Sequence, residues 1–356
     1  MKLGLFIDYA GRTLDVRADL VREAERLGFD SVWTAEAYGS DALTPLAYLA
    51  AHTRHIRLGS GVAQLAGRTA AMAAMQFATV DQLAGGSRVI AGLGVSGPQI
   101  VEGWYGRPWG RPVDELRDYT AILRKVWRRE APLEHDGAAI RLPTDDAGAL
   151  GVGKPLKSLL HANPDIPVWF GTGSPRAVAL TAEIADGWLP MGFVPGMLDV
   201  YRPWLDKGFA RSGRTLADLE IQAQAYVSLT DDVGGAVRAM KSMAALYVGG
   251  MGHPKMNFHK QQMERRGYAD AAARIEELFR AGHRDEAVAA VPDEYVDEGM
   301  LAGDEARIAA RFAAWRDSGA TGLTLHCGQI EALQLLARLA EARPRDAARA
   351  GEEELR

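Results

Sequence analysis

Residues 168–175, Val-Trp-Phe-Gly-Thr-Gly-Ser-Pro, end an apolar run in Gly171, Thr172, Gly173 and Ser174 and open an alanine-rich stretch. Glycine lets backbone approach a ligand closely or take a positive φ. Ser174 suits a helix N-cap, and Pro175 suits the first helical position. A helix starting there turns free N–H groups and the positive end of its dipole toward whatever lies in front, which is the chemistry of anion binding. Arg176 can add charge. The plainer reading is a tight corner between packed elements. Two other stretches carry glycine in places where a flat ligand could lie. In residues 58–69, Gly61 before Val62 permits unusual backbone, although on spacing alone a simple strand end is the better account. In residues 92–119, Gly94, Val95 and Ser96 precede Trp104, Tyr105 and Trp109, which could line a substrate cavity with aromatic surface. Ordinary loop packing is the alternative. Groups able to move a proton are sparse near these stretches: Glu36 and His326 are the candidates, while Tyr9, after the first apolar run, is a further substrate-pocket candidate. A carboxylate at Glu36 could instead order its loop by accepting from backbone N–H groups, and His326 could be a satisfied structural residue. No metal-ligand spacing and no Gly-x-Ser-x-Gly nucleophile turn occurs. A chain offering so few reactive side chains suits an enzyme whose cofactor carries the reaction.

These residues need a frame that brings them together. Short β-like runs at 2–8, 31–36, 56–63, 88–94, 167–172, 187–192, 219–227 and 322–327 alternate with helical patterns at 13–27, 44–53, 70–83, 112–129, 175–185, 197–211, 233–247 and 330–341. Apolar strands alternating with helices predict a parallel sheet covered by helices, and eight such pairs predict a (β/α)8 TIM barrel. All the candidates then fall at the C-terminal ends of strands, where barrel chemistry is done. Barrel phosphate sites more often follow strands 7 and 8, whereas Gly171–Ser174 follows strand 5. The loops after strands 4 and 7 carry insertions, at about 130–166 and 248–303. The second reads as helices near 258–282 and 283–290, and a further helix at 304–318 leads into strand 8. Residues 1–342 read as one domain and 343–356 as a charged, disordered tail. His52, His55, His253, Lys255 and His259 read as surface groups, and Cys327 as a packing residue.

The 356 residues are 47% hydrophobic and 24% charged, with a formal net charge of −5. That balance predicts an ordinary globular protein with no nucleic-acid partner. A single cysteine excludes an internal disulfide framework and fits a reducing compartment. No run is long and apolar enough to span a bilayer. The N-terminal run is broken by Asp8 and reads as a strand, so cytoplasm is the expectation.

Taken together, residues 28–51, 56–62, 92–106, 153–157, 166–190 and 290–325 resemble the bacterial luciferase-like superfamily of TIM-barrel oxidoreductases, and most closely its branch using coenzyme F420, a deazaflavin. The more specific segments are Ser-Gly-Pro-Gln-Ile-Val-Glu-Gly-Trp-Tyr-Gly at 96–106 and Ala-Glu-Ile-Ala-Asp-Gly-Trp-Leu-Pro at 182–190. The resemblance implies that Gly171, Thr172, Gly173 and Ser174 bind the cofactor phosphate. It implies a non-prolyl cis peptide at Gly61–Val62 behind the ring, and Gly94 to Ser96 running beside it. Glu36 aligns with an acidic position near the deazaflavin head. Members that oxidise a sugar phosphate carry Asp-His there; this chain has Glu36-Ala37 and departs from them. Methylenetetrahydromethanopterin reductases are also similar. The implied activity is hydride transfer between F420 and a small organic substrate by a homodimer, with Glu36 or His326 as proton donor. FMN-dependent reductase or monooxygenase activity, and a non-catalytic flavin-binding barrel, are the alternatives.

Overall fold

The computed structural model describes residues 1–9, 11–253 and 256–344. Residues 345–356 of the expected tail, and Lys255, lie outside the described residues. Eight parallel strands close on themselves: β1 (Lys2–Phe6), β2 (Ser31–Thr34), β3 (Arg57–Ser60), β4 (Val89–Gly94), β5 (Val168–Phe170), β6 (Gly187–Trp188), β7 (Glu220–Leu229) and β8 (Gly322–His326). Each pairs with the next in the chain, and β8 returns to β1 with Leu3 opposite Leu323. The TIM barrel expected from the alternation is therefore present. Its strands are short and buried on both sides, as a parallel sheet wrapped by helices requires.

The surrounding helices begin where the local chemistry allows. Thr69 accepts from Met72 N and starts Ala70–Leu83, and Ser174 accepts from Ala177 N and starts Pro175–Ile184. The first helix, Ala18–Arg26, starts five residues later than the pattern predicted, because Arg17 takes a left-handed conformation with φ 48°. Inside the barrel, Trp33, Ile90, Trp169 and Leu189 form a buried plug, with the two indole rings 5.3 Å apart. Phe6 and Val62 pack on its upper side. The barrel interior is thus a filled core, and the C-terminal ends of its strands are where barrel chemistry is done.

The insertion after β4 carries a small antiparallel hairpin, His135–Asp136 with Arg141–Leu142. The insertion after β7 is a helical cap. Helices Phe258–Arg265, Ala269–Arg280, Arg284–Ala289 and Asp293–Glu298 join Val233–Gly249 around a core of their own, which includes Met263, Ile275, Leu278 and Val296. One strand there went unread in the sequence. Met300–Gly303 pairs in parallel with the outer half of β7, from Tyr226 to Leu229. β7 is ten residues long and outruns β6, so its free edge takes a new partner that ties the cap to the barrel mouth. Among the described residues, no helix is long and apolar enough to cross a membrane.

Candidate active site

The ends of β3, β4 and β5 meet around one side chain. The Gly61–Val62 peptide is cis. A Cβ on Gly94 would lie 2.5 Å from Val62 Cγ2, and one on Gly171 would lie 2.6 Å from Val62 Cγ1. The expectation was that these glycines make room for a ligand. They make room for Val62, which lodges between them and presents an apolar pad on the floor of the mouth. Beside the pad, Ser96 holds φ 63°, in the left-handed region that non-glycine residues rarely adopt. Gln64 Oε1 is buried without a hydrogen-bond partner, although its Nε2 donates to Glu36 O at 2.7 Å.

Gly173 is different. A Cβ there would meet nothing nearer than Met191 Cβ at 3.7 Å and Arg265 Nη1 at 4.0 Å. Its φ is not among the positive ones. Neither packing nor backbone conformation requires glycine at 173, so the free space in front of it is available to a ligand. Thr172 cannot offer its hydroxyl to that ligand, because Thr172 Oγ1 is 2.7 Å from Thr181 Oγ1 inside the core. Ser174 Oγ caps the helix at 3.4 Å from Ala177 N. An anion at this turn would therefore meet backbone N–H groups and not the Thr172 hydroxyl. Two variants separate the glycines. Gly171→Ala is expected to destabilise the fold by about 1–3 kcal/mol through its clash with Val62. Gly173→Asp is expected to keep the melting temperature but weaken binding of a phosphorylated cofactor by more than about tenfold. Unchanged affinity in a folded Gly173→Asp protein would reduce the turn to a corner.

Glu36 follows β2 and is buried. Its Oε1 accepts from Gln64 N and Arg68 Nη1, both at 2.7 Å, and its Oε2 accepts from Arg68 Nη2 at 2.7 Å and Ala42 N at 3.0 Å. Four N–H groups occupy both oxygens. This corresponds to the loop-ordering alternative and leaves no lone pair for a proton on its way to a substrate. Burial disfavours the charge on Arg68, but the Glu36 carboxylate outweighs burial and raises the guanidinium pKa. Arg68 carried no signal in the sequence beyond a charged residue after glycine. Beside this pair lies a cavity of about 200 Å³, lined by Tyr38, Ser40, Arg68, Trp104 and Tyr105 among others. Trp104 is largely exposed at its rim, and Tyr105 Oη donates to Ala37 O at 3.4 Å. Trp109 does not line it; its backbone N–H bonds Glu102 at 3.2 Å.

Across the mouth, β7, β8 and β1 build a polar wall. The His326 ring lies between Phe6, at 4.2 Å, and Tyr226, at 4.4 Å, with Nε2 3.3 Å from Gln224 Oε1. Burial pushes the His326 pKa down to about 4, against a smaller upward pull from Asp8. The imidazole is thus neutral near pH 7. Burial also raises the pKa of the Tyr9 phenol, and the neighbouring Tyr247 raises it further. The Tyr247 ring packs 4.5 Å from His259, and burial takes the His259 pKa down to about 4. His259 is therefore not the solvated group the sequence suggested. Tyr247 was missed because it sits in a helix pattern, where an aromatic reads as core. The barrel brings His326, Tyr226 and Tyr9 together at the ends of β8, β7 and β1, and β7 is the fourth strand around from β3, which Val62 follows. Among the described residues, no cluster of His, Cys, Asp and Glu could hold a metal ion.

The family model for luciferase-like monooxygenases matches residues 1–322. The chain belongs to the luciferase-like monooxygenase family. Among its relatives in this family, the "Putative coenzyme F420-dependent oxidoreductase Rv3520c" of Mycobacterium tuberculosis is 46% identical over 343 residues, 95% of this chain and 99% of that protein. The 5,10-methylenetetrahydromethanopterin reductase of Methanopyrus kandleri is 27% identical over 318 residues, 85% of this chain and 86% of that protein. The solved structure of the coenzyme F420-dependent tetrahydromethanopterin reductase from Methanopyrus kandleri superposes with a TM-score of 0.77 at 22% identity, covering 96% of this chain and 99% of that one. An F420-dependent secondary alcohol dehydrogenase, solved with an F420–acetone adduct, superposes at 0.73 with 17% identity, covering 97% and 99%. At these identities the structural likeness shows the shared fold alone.

Proposed function

We propose that this protein is a coenzyme F420-dependent oxidoreductase that moves a hydride between the deazaflavin and a small organic substrate. The observation that carries the reading is the relative at 46% identity, aligned over 95% of this chain and named for that cofactor. The residues present fit such a group. The Val62 pad gives an apolar seat to a flat ring, and the orphaned Gln64 Oε1 is an acceptor for a ring N–H group. The space before Gly173, faced by a helix N-terminus, suits a phosphate. When bound, the deazaflavin supplies the hydride donor or acceptor. The chain supplies the rest. Val62, Gly94, Val95 and Ser96 seat the ring. Glu36 and Arg68 hold the ends of β2 and β3 in place beside it. The apolar plug beneath keeps water from below.

His326 is the group we assign to the proton. Its neutral imidazole accepts a proton from a substrate O–H or N–H as the hydride leaves the adjacent carbon, and the imidazolium returns that proton in the reverse direction. Tyr9 and Tyr226 flank the space where that substrate would lie. The assay is anaerobic turnover followed by the deazaflavin's visible absorbance, with a panel of alcohols and amines against F420, and of carbonyls and imines against reduced F420. Turnover in the absence of oxygen is the expected result. Turnover only with reduced FMN and oxygen would instead make this a monooxygenase like those that give the family its name. Cofactor binding with no turnover in either system would make it a non-catalytic barrel.

A further inference from the structure

The helical cap sends one guanidinium down to the β5 turn. Arg265, the last residue of helix Phe258–Arg265, donates from Nη1 to Gly173 O at 2.9 Å. Its guanidinium carbon lies 5.3 Å from the Trp204 ring centre, and its Nη2 donates to Gln261 Oε1 at 3.5 Å. These contacts fix a half-buried positive charge 4.0 Å from the point where a Cβ of Gly173 would stand. Among the described residues, no carboxylate pairs with it. Its neighbours are otherwise: Arg266 pairs with Glu298 at 2.7 Å, and Lys260 pairs with Glu276 at 2.5 Å. A guanidinium withdrawn from water without a counter-charge is costly unless an anion comes to it. The anion-binding turn next to it is where that anion would be.

We propose that Arg265 is the cation of the phosphate site at Gly171–Ser174. It contributes in two ways. Its charge faces the space before Gly173. Its bond to Gly173 O also fixes the Gly173–Ser174 peptide that leads into the helix. The cap after β7 is then part of cofactor recognition as well as a roof over the substrate. The ligand class is a phosphate ester carried by a flat heterocycle. That the ester belongs to F420 rests on the function proposed above; that Arg265 reads the phosphate does not.

The test compares each cofactor with its phosphate-free form by fluorescence titration: F420 against the deazaflavin that lacks the phosphate and its tail, and FMN against riboflavin. Arg265→Ala is expected to weaken F420 binding at least about tenfold while the phosphate-free deazaflavin changes by less than about twofold. Arg265→Lys, which keeps the charge but loses the fork, is expected to fall between. If the wild-type protein takes FMN in place of F420, the function proposed above fails, and the same contrast is read from FMN and riboflavin. Equal weakening of both members of a pair would mean that Arg265 only supports the cap. No weakening, or a wild-type protein that binds phosphate-free forms as tightly as phosphorylated ones, would also overturn the proposal. Should Arg265→Ala unfold, Arg265→Gln keeps a donor for Gly173 O and removes the charge, and the same contrast decides.

Discussion

Arg68→Ala is expected to cost about 3–5 kcal/mol of stability, because it strands a buried carboxylate. Glu36 has a side chain only 3% exposed, and Arg68, at 11%, supplies two of its four donors. Removing the guanidinium leaves Glu36 with Gln64 N and Ala42 N alone. The loops after β2 and β3, which Glu36 joins, should loosen together. Urea unfolding measures the loss, and hydrogen exchange at Ala42 and Gln64 locates it. Glu36→Gln should cost less, since the amide oxygen keeps two of the acceptor contacts. A loss below about 1 kcal/mol for Arg68→Ala would place the pair among surface ion pairs and remove its role as the anchor of this strand end.

His326→Gln is expected to lower turnover by about 10²–10⁴-fold, the range for removing a positioned acid–base group. Cofactor affinity should barely change, because His326 is not among the residues that would seat the ring or the phosphate. The pH dependence carries a sign. The free imidazole titrates near 6.5 and the folded one at about 4. Between those values the unfolded chain takes up a proton that the folded chain refuses, so stability is full above about pH 6.5 and falls as pH drops toward 4. His259 adds to the same slope, with a folded value of about 4. His326→Gln removes one of the two contributions, and a flatter profile of melting temperature against pH is the check. A variant with normal turnover would move the proton to another group on this wall, Tyr9 being the nearest in kind.

The barrel was legible because its signal is long-range and repeated. Eight apolar runs alternating with eight helical patterns leave few other folds, and Ala70–Leu83 even begins and ends where its alanine pattern does. The Met300–Gly303 strand was not legible. It follows a helix inside the cap and pairs only because β7 overruns its neighbours, which is a matter of register that sequence patterns do not carry. At the site, glycines could be seen but not their causes: Gly94 and Gly171 yield to Val62, whereas Gly173 yields to nothing in the protein. The partners of Glu36 were invisible for the same kind of reason. Arg68 is 32 residues away and meets it only through the pairing of β2 with β3. Arg265 is more distant still, 92 residues from the Gly173 carbonyl it holds. Patterns within a segment predict elements; contacts between segments decide roles.

The measurement closest to the central claim is an equilibrium titration of the purified protein with F420 and FMN side by side. F420 dependence predicts an F420 Kd of about a micromolar or below and FMN at least about tenfold weaker. Tighter binding of FMN would contradict it and place the protein with the flavin-dependent members of the family.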